Sequence, residues 1–300
     1  MKTRTRLAAA LVTAIILGVI VLRIPLDRVA AAFRDADYVL FLSCMVPNTV
    51  FYLYWDTLIL KVVIGWFHGD VPYGDLLPVR ASSYVVGFFN TNAGRGALAA
   101  YLWRRLRVPF LELGGTVILL VLTEYTQLVT WALLGILGFR TEVTVSLLPV
   151  AGAVAAFWLV FFGYTRLHGK DWQILRTFRR TTPGQFAAIV LLRAPMFAVS
   201  LVAHYYAARA FGIRIPFAEM LTFLPVIFMA AALPVTIAHL GTTQAAWIYF
   251  FGAYAAAPRL LAFSLVAHLA FSFTRAMLGL LWLPAAYAEL VSPAPARQPC

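Results

Sequence analysis

The chain is a series of apolar runs, several of them near the length that crosses a bilayer. Residues 7–22, 38–60, 109–139, 146–164, 185–210 and 260–283 are each dominated by Leu, Val, Ile, Phe and Ala. A hydrocarbon core of ~30 Å takes ~20 helical residues. In such a medium every backbone N–H and C=O needs an internal partner, so only helices or a closed barrel survive. The runs lack the alternation of a membrane barrel. Only 12% of the 300 residues are charged and 62% are hydrophobic, against about 25% charged in a soluble domain. These features predict an all-α polytopic membrane protein.

The net charge of +12 does not point to nucleic acid. Lys and Arg gather in short links between apolar runs, as the positive-inside rule requires. Lys2, Arg4 and Arg6, then Lys61 and Arg80, then Arg104, Arg105 and Arg107, and finally Arg166, Lys170, Arg176, Arg179 and Arg180 all fall on one side if the amino terminus is cytoplasmic. The expected location is a bacterial-type inner membrane with both termini cytoplasmic. Cys44 and Cys300 make neither a disulfide framework nor a metal site. No metal-spaced His or Cys cluster or nucleophile motif stands out, so no cofactor and no enzymatic activity are expected, with an integral-membrane transferase as the minor alternative. The first run has the shape of a signal peptide, with residues 30–32 as a cleavage region. It is read here as an uncleaved first helix, because the repeat described below needs it. Residues 291–300 carry Pro293, Pro295 and Pro299 and read as a disordered tail.

Two polar stretches interrupt the apolar pattern. The first is NTNAGRGA, residues 90–97, with Asn90, Asn92, Gly94 and Gly96 around Arg95. The second is PVTIAHLGTTQ, residues 234–244, with Pro234, His239 and Gly241. Glycine and proline here predict breaks in the helix. The flanking limbs are short: residues 76–89 would make a helix of only ~21 Å. Each break therefore predicts a re-entrant hairpin rather than a pair of full spans.

The two halves match. VPYGDLL at 71–77 answers IPFAEML at 215–221, an offset of 144. Gly94 answers Gly241 at an offset of 147, and Val108-Pro109 answers Ala257-Pro258 at 149. Repeats over 1–144 and 145–290 would each hold three spans and one hairpin. Three is odd, so the second repeat enters the membrane from the opposite side. The predicted architecture is an inverted-topology repeat with about six full spans and two re-entrant broken hairpins; the alternative is eight simple spans. Inverted repeats place substrate sites near mid-membrane at discontinuous helices.

The landmarks FFNTNAGRGALAAYLWRRLRVP, LTEY and LPVTIAHLGTTQAA resemble the lysylphosphatidylglycerol synthase transmembrane region, also called the flippase-like integral membrane family, over roughly residues 7–283. The sequence departs from that pattern in its polar positions. Alanines (Ala97, Ala99, Ala100) replace the Glu and Arg after the first break, Tyr125 replaces the arginine after Glu124, and Thr243-Gln244 replaces an Arg-Glu pair. The resemblance implies lipid handling. Synthase activity is not implied, because the aminoacyl-transfer domain of some members has no counterpart in these residues.

Candidate site residues follow from intramembrane polarity. Glu124 lies near the middle of a long apolar run, and an intramembrane ionisable group is a functional candidate by default; Arg193 and Arg275 are its candidate charge partners. Arg95 has the chemistry to bind a lipid phosphate through paired hydrogen bonds. Asn90, Asn92, His239, Thr242, Thr243 and Gln244 complete the candidate binding set. Gly94, Gly96, Pro234 and Gly241 are the candidate breaks. Trp55, Trp66, Trp103 and Trp282 read as an interfacial belt. The expected function is a flippase-like transporter moving a phospholipid, glycolipid or polyprenyl-linked lipid between leaflets. The alternative is a membrane-embedded accessory to, or component of, a lipid-linked glycosyl or headgroup transferase. Expected partners are membrane lipids with anionic headgroups, with a homo-oligomer or a membrane enzyme as further candidates.

Overall fold

The computed structural model describes residues 24–89, 91–139, 148–167, 172–232 and 241–291. The first apolar run, Asn90, Pro234, His239 and the tail lie outside them. The described residues form helices and no strands: α1 (Leu26–Arg34), α2 (Tyr38–Phe67), α3 (Tyr73–Phe89), α4 (Thr91–Leu106), α5 (Phe110–Phe139), α6 (Leu148–Leu167), α7 (Arg176–Arg180), α8 (Pro183–Arg209), α9 (Phe217–Ala232), α10 (Thr242–Phe251) and α11 (Ala257–Val291). Four of them, α2, α5, α8 and α11, are long and apolar enough to cross a membrane. Large apolar side chains stay exposed along these rods and α6: Val39 is 83% exposed, Leu159 77% and Leu281 75%. Exposed apolar area on this scale matches acyl chains, not water. The protein is membrane-embedded.

Local chemistry sets several helix starts. Pro72, Pro109 and Pro216 each stand immediately before a helix, and each is followed three residues later by an acid: Asp75, Glu112 and Glu219. Proline fixes φ where an N–H has no partner anyway, and the acid meets the positive end of the helix dipole. Five further prolines lie inside helices and remove one backbone bond each: Pro47 in α2, Pro78 in α3, Pro195 in α8, Pro225 in α9 and Pro284 in α11. The first four fall in two pairs. Their spacing is regular. Pro195 follows Pro47 by 148, and Pro225 follows Pro78 by 147.

Three expectations need correction. The helix of the apolar run 38–60 does not end there, and Lys61 is no link residue, since α2 continues to Phe67. Lys61 pairs with Asp70, 3.5 Å away. Residues between the runs 7–22 and 38–60 are not a plain link, since they contain the amphipathic helix α1. The first break is far shorter than residues 90–97: Asn92, Gly94, Arg95 and Gly96 are all helical, within α4. A helical glycine costs ~1 kcal/mol relative to alanine. Packing offsets that cost at Gly94, where an added Cβ would lie 2.6 Å from the Ser83 carbonyl oxygen and 2.9 Å from the Gly87 Cα of α3. Small residues let membrane helices approach this closely. The α3–α4 hairpin is thus a tight antiparallel pair, and Arg105 of α4 ties its open end to Asp75 of α3 at 2.7 Å.

The chain forms two compact units. One comprises residues 1–48, 128–151 and 197–271 and includes the α9–α10 hairpin. Its core is aromatic and aliphatic: Phe41, Phe211, Leu224, Ile227, Trp247, Phe251 and Phe263 are nearly inaccessible. The Trp247 ring centroid lies 4.9 Å from those of Phe251 and Phe263. The other unit comprises residues 49–127, 152–196 and 272–300 and includes the α3–α4 hairpin. Its helices are held by Leu60, Ile64, Leu76, Leu102 and Leu113 and by a second group around Leu119, Trp158 and Phe178. Gly279 of α11 lets that helix meet α3, since a Cβ there would lie 2.5 Å from the Ala81 carbonyl oxygen.

Candidate functional site

Within the second unit, α2, α3, α4, α5, α8 and α11 surround a cavity of about 170 Å³, far more than the ~10–15 Å³ a single water needs. Helical spacing explains how each wall presents its polar groups. Tyr52 and Asp56 are four apart on α2. Arg80, Ser83, Tyr84 and Gly87 form an i, i+3, i+4, i+7 stripe on α3, and Val117, Leu120, Val121 and Glu124 form the same stripe on α5. Residues so spaced share one helix face. Arg95, Arg193 and Arg275 come in from α4, α8 and α11.

Asp56 is the best-held group. Its Oδ2 accepts from Arg80 Nε at 2.6 Å and from the Tyr84 hydroxyl at 2.9 Å. Two guanidiniums approach the Tyr84 ring, Arg275 at 4.2 Å from its centroid and Arg80 at 4.9 Å. Cation–π contacts reach about 2 kcal/mol where water is excluded. Glu124 faces Arg193 at 3.9 Å, the outer limit of an ion pair. The Arg193 side chain is only 5% exposed, and its Nε has no hydrogen-bond partner among the described residues. Arg95 makes no ion pair among the described residues. Four arginines and two carboxylates line the cavity, a net charge of +2. Uncompensated buried charge costs several kcal/mol per ion, so the arrangement favours an anion that brings its own oxygen acceptors. Guanidinium forks suit phosphate and carboxylate geometry. Among the described residues no group of His, Cys, Asp and Glu has the spacing to hold a metal ion.

The cavity gathers four of the residues picked out from sequence, Arg95, Glu124, Arg193 and Arg275, together with Gly94. It adds Tyr52, Asp56, Arg80, Ser83 and Tyr84, which sequence reasoning left out. The sequence pattern places Arg80 with the basic links, whereas the structure puts it inside α3. The i, i+4 pairs Tyr52/Asp56 and Arg80/Tyr84 on apolar helices were the available signal. Thr242, Thr243 and Gln244 belong to the other unit. There Gly241 takes a φ of 94°, and its N–H donates to the Gln244 Oε1 at 2.6 Å. That side chain caps the start of α10. Trp55, in the second unit, packs against α8. Its Nε1 donates to the Leu192 carbonyl oxygen of α8 at 2.7 Å, beside the bond that Pro195 removes.

A second polar cluster in the same unit lies at the start of α5. Glu112 accepts from Arg180 at 3.3 Å and Arg176 at 3.5 Å, which fastens the basic helix α7 onto α5. His68 Nε2 meets the Thr116 hydroxyl at 2.6 Å. Burial holds His68 below its usual range, against the pull of Glu112, so it is neutral at pH 7. The two arginines are 32% and 58% exposed and keep contact with solvent. The cluster acts as a clamp between α5 and α7.

No family model, curated protein or solved structure matches the chain. The functional argument therefore stands on the residues themselves.

Proposed function

We propose that this protein is a flippase-like lipid transporter, carrying the anionic headgroup of a phospholipid, glycolipid or polyprenyl-linked lipid through the arginine-lined cavity while the acyl chains stay in the bilayer. The observation that carries the reading is the cluster of Arg80, Arg95, Arg193 and Arg275 with Asp56 and Glu124 around one void among apolar helices. Intramembrane charge of this density marks a substrate path. The architecture that suits it is an inverted-topology repeat of six spans and two re-entrant hairpins, with both termini cytoplasmic in a bacterial-type inner membrane. The paired prolines (Pro47 and Pro195, Pro78 and Pro225) and the paired glycines Gly94 and Gly241 support that plan, and so do the basic links. The resemblance to the lysylphosphatidylglycerol synthase transmembrane region points the same way.

The carboxylates serve to keep the arginines apart and ready. Asp56 holds Arg80, and Glu124 holds Arg193 loosely enough that a headgroup phosphate can compete for it. The test is reconstitution of the purified chain into liposomes carrying fluorescent phosphatidylglycerol. Wild type should expose the inner-leaflet probe to an impermeant quencher, and Glu124→Gln should fold but slow this at least tenfold. Wild-type vesicles that behave as empty ones would sink the transporter reading and favour an accessory to a lipid-linked transferase.

A further inference from the structure

We infer that the cavity selects a dianionic phosphate, a phosphomonoester or diphosphate end, over the monoanionic phosphodiester of common phospholipids; this rests on the anionic-headgroup reading above. Charge balance is the first argument. The lining carries four guanidiniums and two carboxylates, a net +2. One phosphodiester supplies a single negative charge and leaves a buried cation uncompensated. A phosphomonoester supplies about −1.5 to −2 at pH 7. A zwitterionic headgroup brings its own cation and so leaves the net +2 of the lining uncompensated.

Donor geometry is the second argument. Arg193 is buried to 5% and its Nε lacks a partner among the described residues. A buried unsatisfied donor costs about 1–3 kcal/mol, and more when charged. Arg95 reaches the void from α4, and Arg193 from α8. A terminal phosphate has three free oxygens, so it can accept from guanidiniums on more than one wall. An esterified diester has two, and its second substituent must occupy the same 170 Å³. The close packing of Gly94 on Ser83 and Gly87 keeps Arg95 at the edge of the cavity and limits how far that wall can widen.

The experiment uses the full chain in nanodiscs of phosphatidylcholine. It compares binding of phosphatidic acid, phosphatidylmethanol with identical chains, and inorganic phosphate, by native mass spectrometry and competition. Phosphatidic acid should bind at least tenfold more tightly than phosphatidylmethanol. Arg95→Gln, at a half-buried position, should reduce that ratio toward one. Glu124→Gln raises the lining charge by one and should enlarge it. Equal binding of the two lipids, both above phosphatidylcholine, would overturn the dianion inference and leave the anionic-lipid reading standing. Binding of none of the three probes would overturn both. Tight binding of inorganic phosphate without phosphatidic acid would support dianion recognition but refute a lipid as its source. If Arg95→Gln and Glu124→Gln shifted the ratio in the same direction, charge would not be its cause and the inference would fall.

Discussion

The two hairpins share a plan and differ in what they hold. Pro78 and Pro225 stand in their first limbs at an offset of 147, the same offset that relates Gly94 to Gly241. At those offsets Arg80 corresponds to Ile227, and Arg95 to Thr242. On the preceding long helices, the offset of Pro47 and Pro195 sets Asp56 against His204. The α3–α4 side is charged and surrounds a void. On the α9–α10 side Ile227 is fully buried. His204 is packed beside Phe228 and Trp247, with its Nδ1 on the Ser200 carbonyl at 2.7 Å. One hairpin concentrates buried charge, which is unfavourable until a ligand compensates it. Its counterpart fills the same kind of place with close-packed rings and stabilises the fold. The residues at three matched positions separate a charged region from an apolar one.

The largest expected effect tests the core side. Trp247→Ala removes a ring that is 2% exposed and should lower stability by about 3–5 kcal/mol, read by thermal or denaturant unfolding in detergent. The folded fraction should keep its lipid preference. Loss of headgroup binding without loss of stability would mean that the division of roles is drawn wrongly.

Next comes an exchange on the site side. Asp56→His with Arg80→Ile gives the first hairpin the matched residues of the second. Changing both partners of a buried ion pair avoids leaving one charge unpaired, which is the costly case, so the folded protein should persist. Anionic-lipid binding should fall at least tenfold. If transport and binding survive the exchange, the charged residues are structural and the contrast between the hairpins has no functional content.

The smallest effects separate two neighbouring glycines. Gly94→Ala should destabilise by about 1–3 kcal/mol through overpacking against Ser83 and Gly87. Gly96→Ala meets nothing within 4 Å and should stabilise α4 by up to ~1 kcal/mol. Opposite signs in the melting temperatures would support the close approach of α3 and α4; a shared sign would refute it.

Much of this protein follows from its sequence alone. Run length and apolarity dictate helices, because a bilayer leaves the backbone no other partner. Proline followed by an acid three residues later marks where α3, α5 and α9 begin. Glu124 and Arg95 stood out because charge in an apolar run is costly wherever the chain folds. Tertiary structure decided the rest. Arg80 reads as part of a basic link, and only the packing of α3 beside α2 brings it onto Asp56. Gly94 and Gly96 looked alike as helix breakers. Only the approach of Ser83 and Gly87 makes one of them necessary and leaves the other free. Periodicity records which face of a helix is polar, but the meeting of polar faces from six helices is a long-range event. Whether charges so gathered neutralise one another or leave an excess around a void depends on distances that no local pattern encodes.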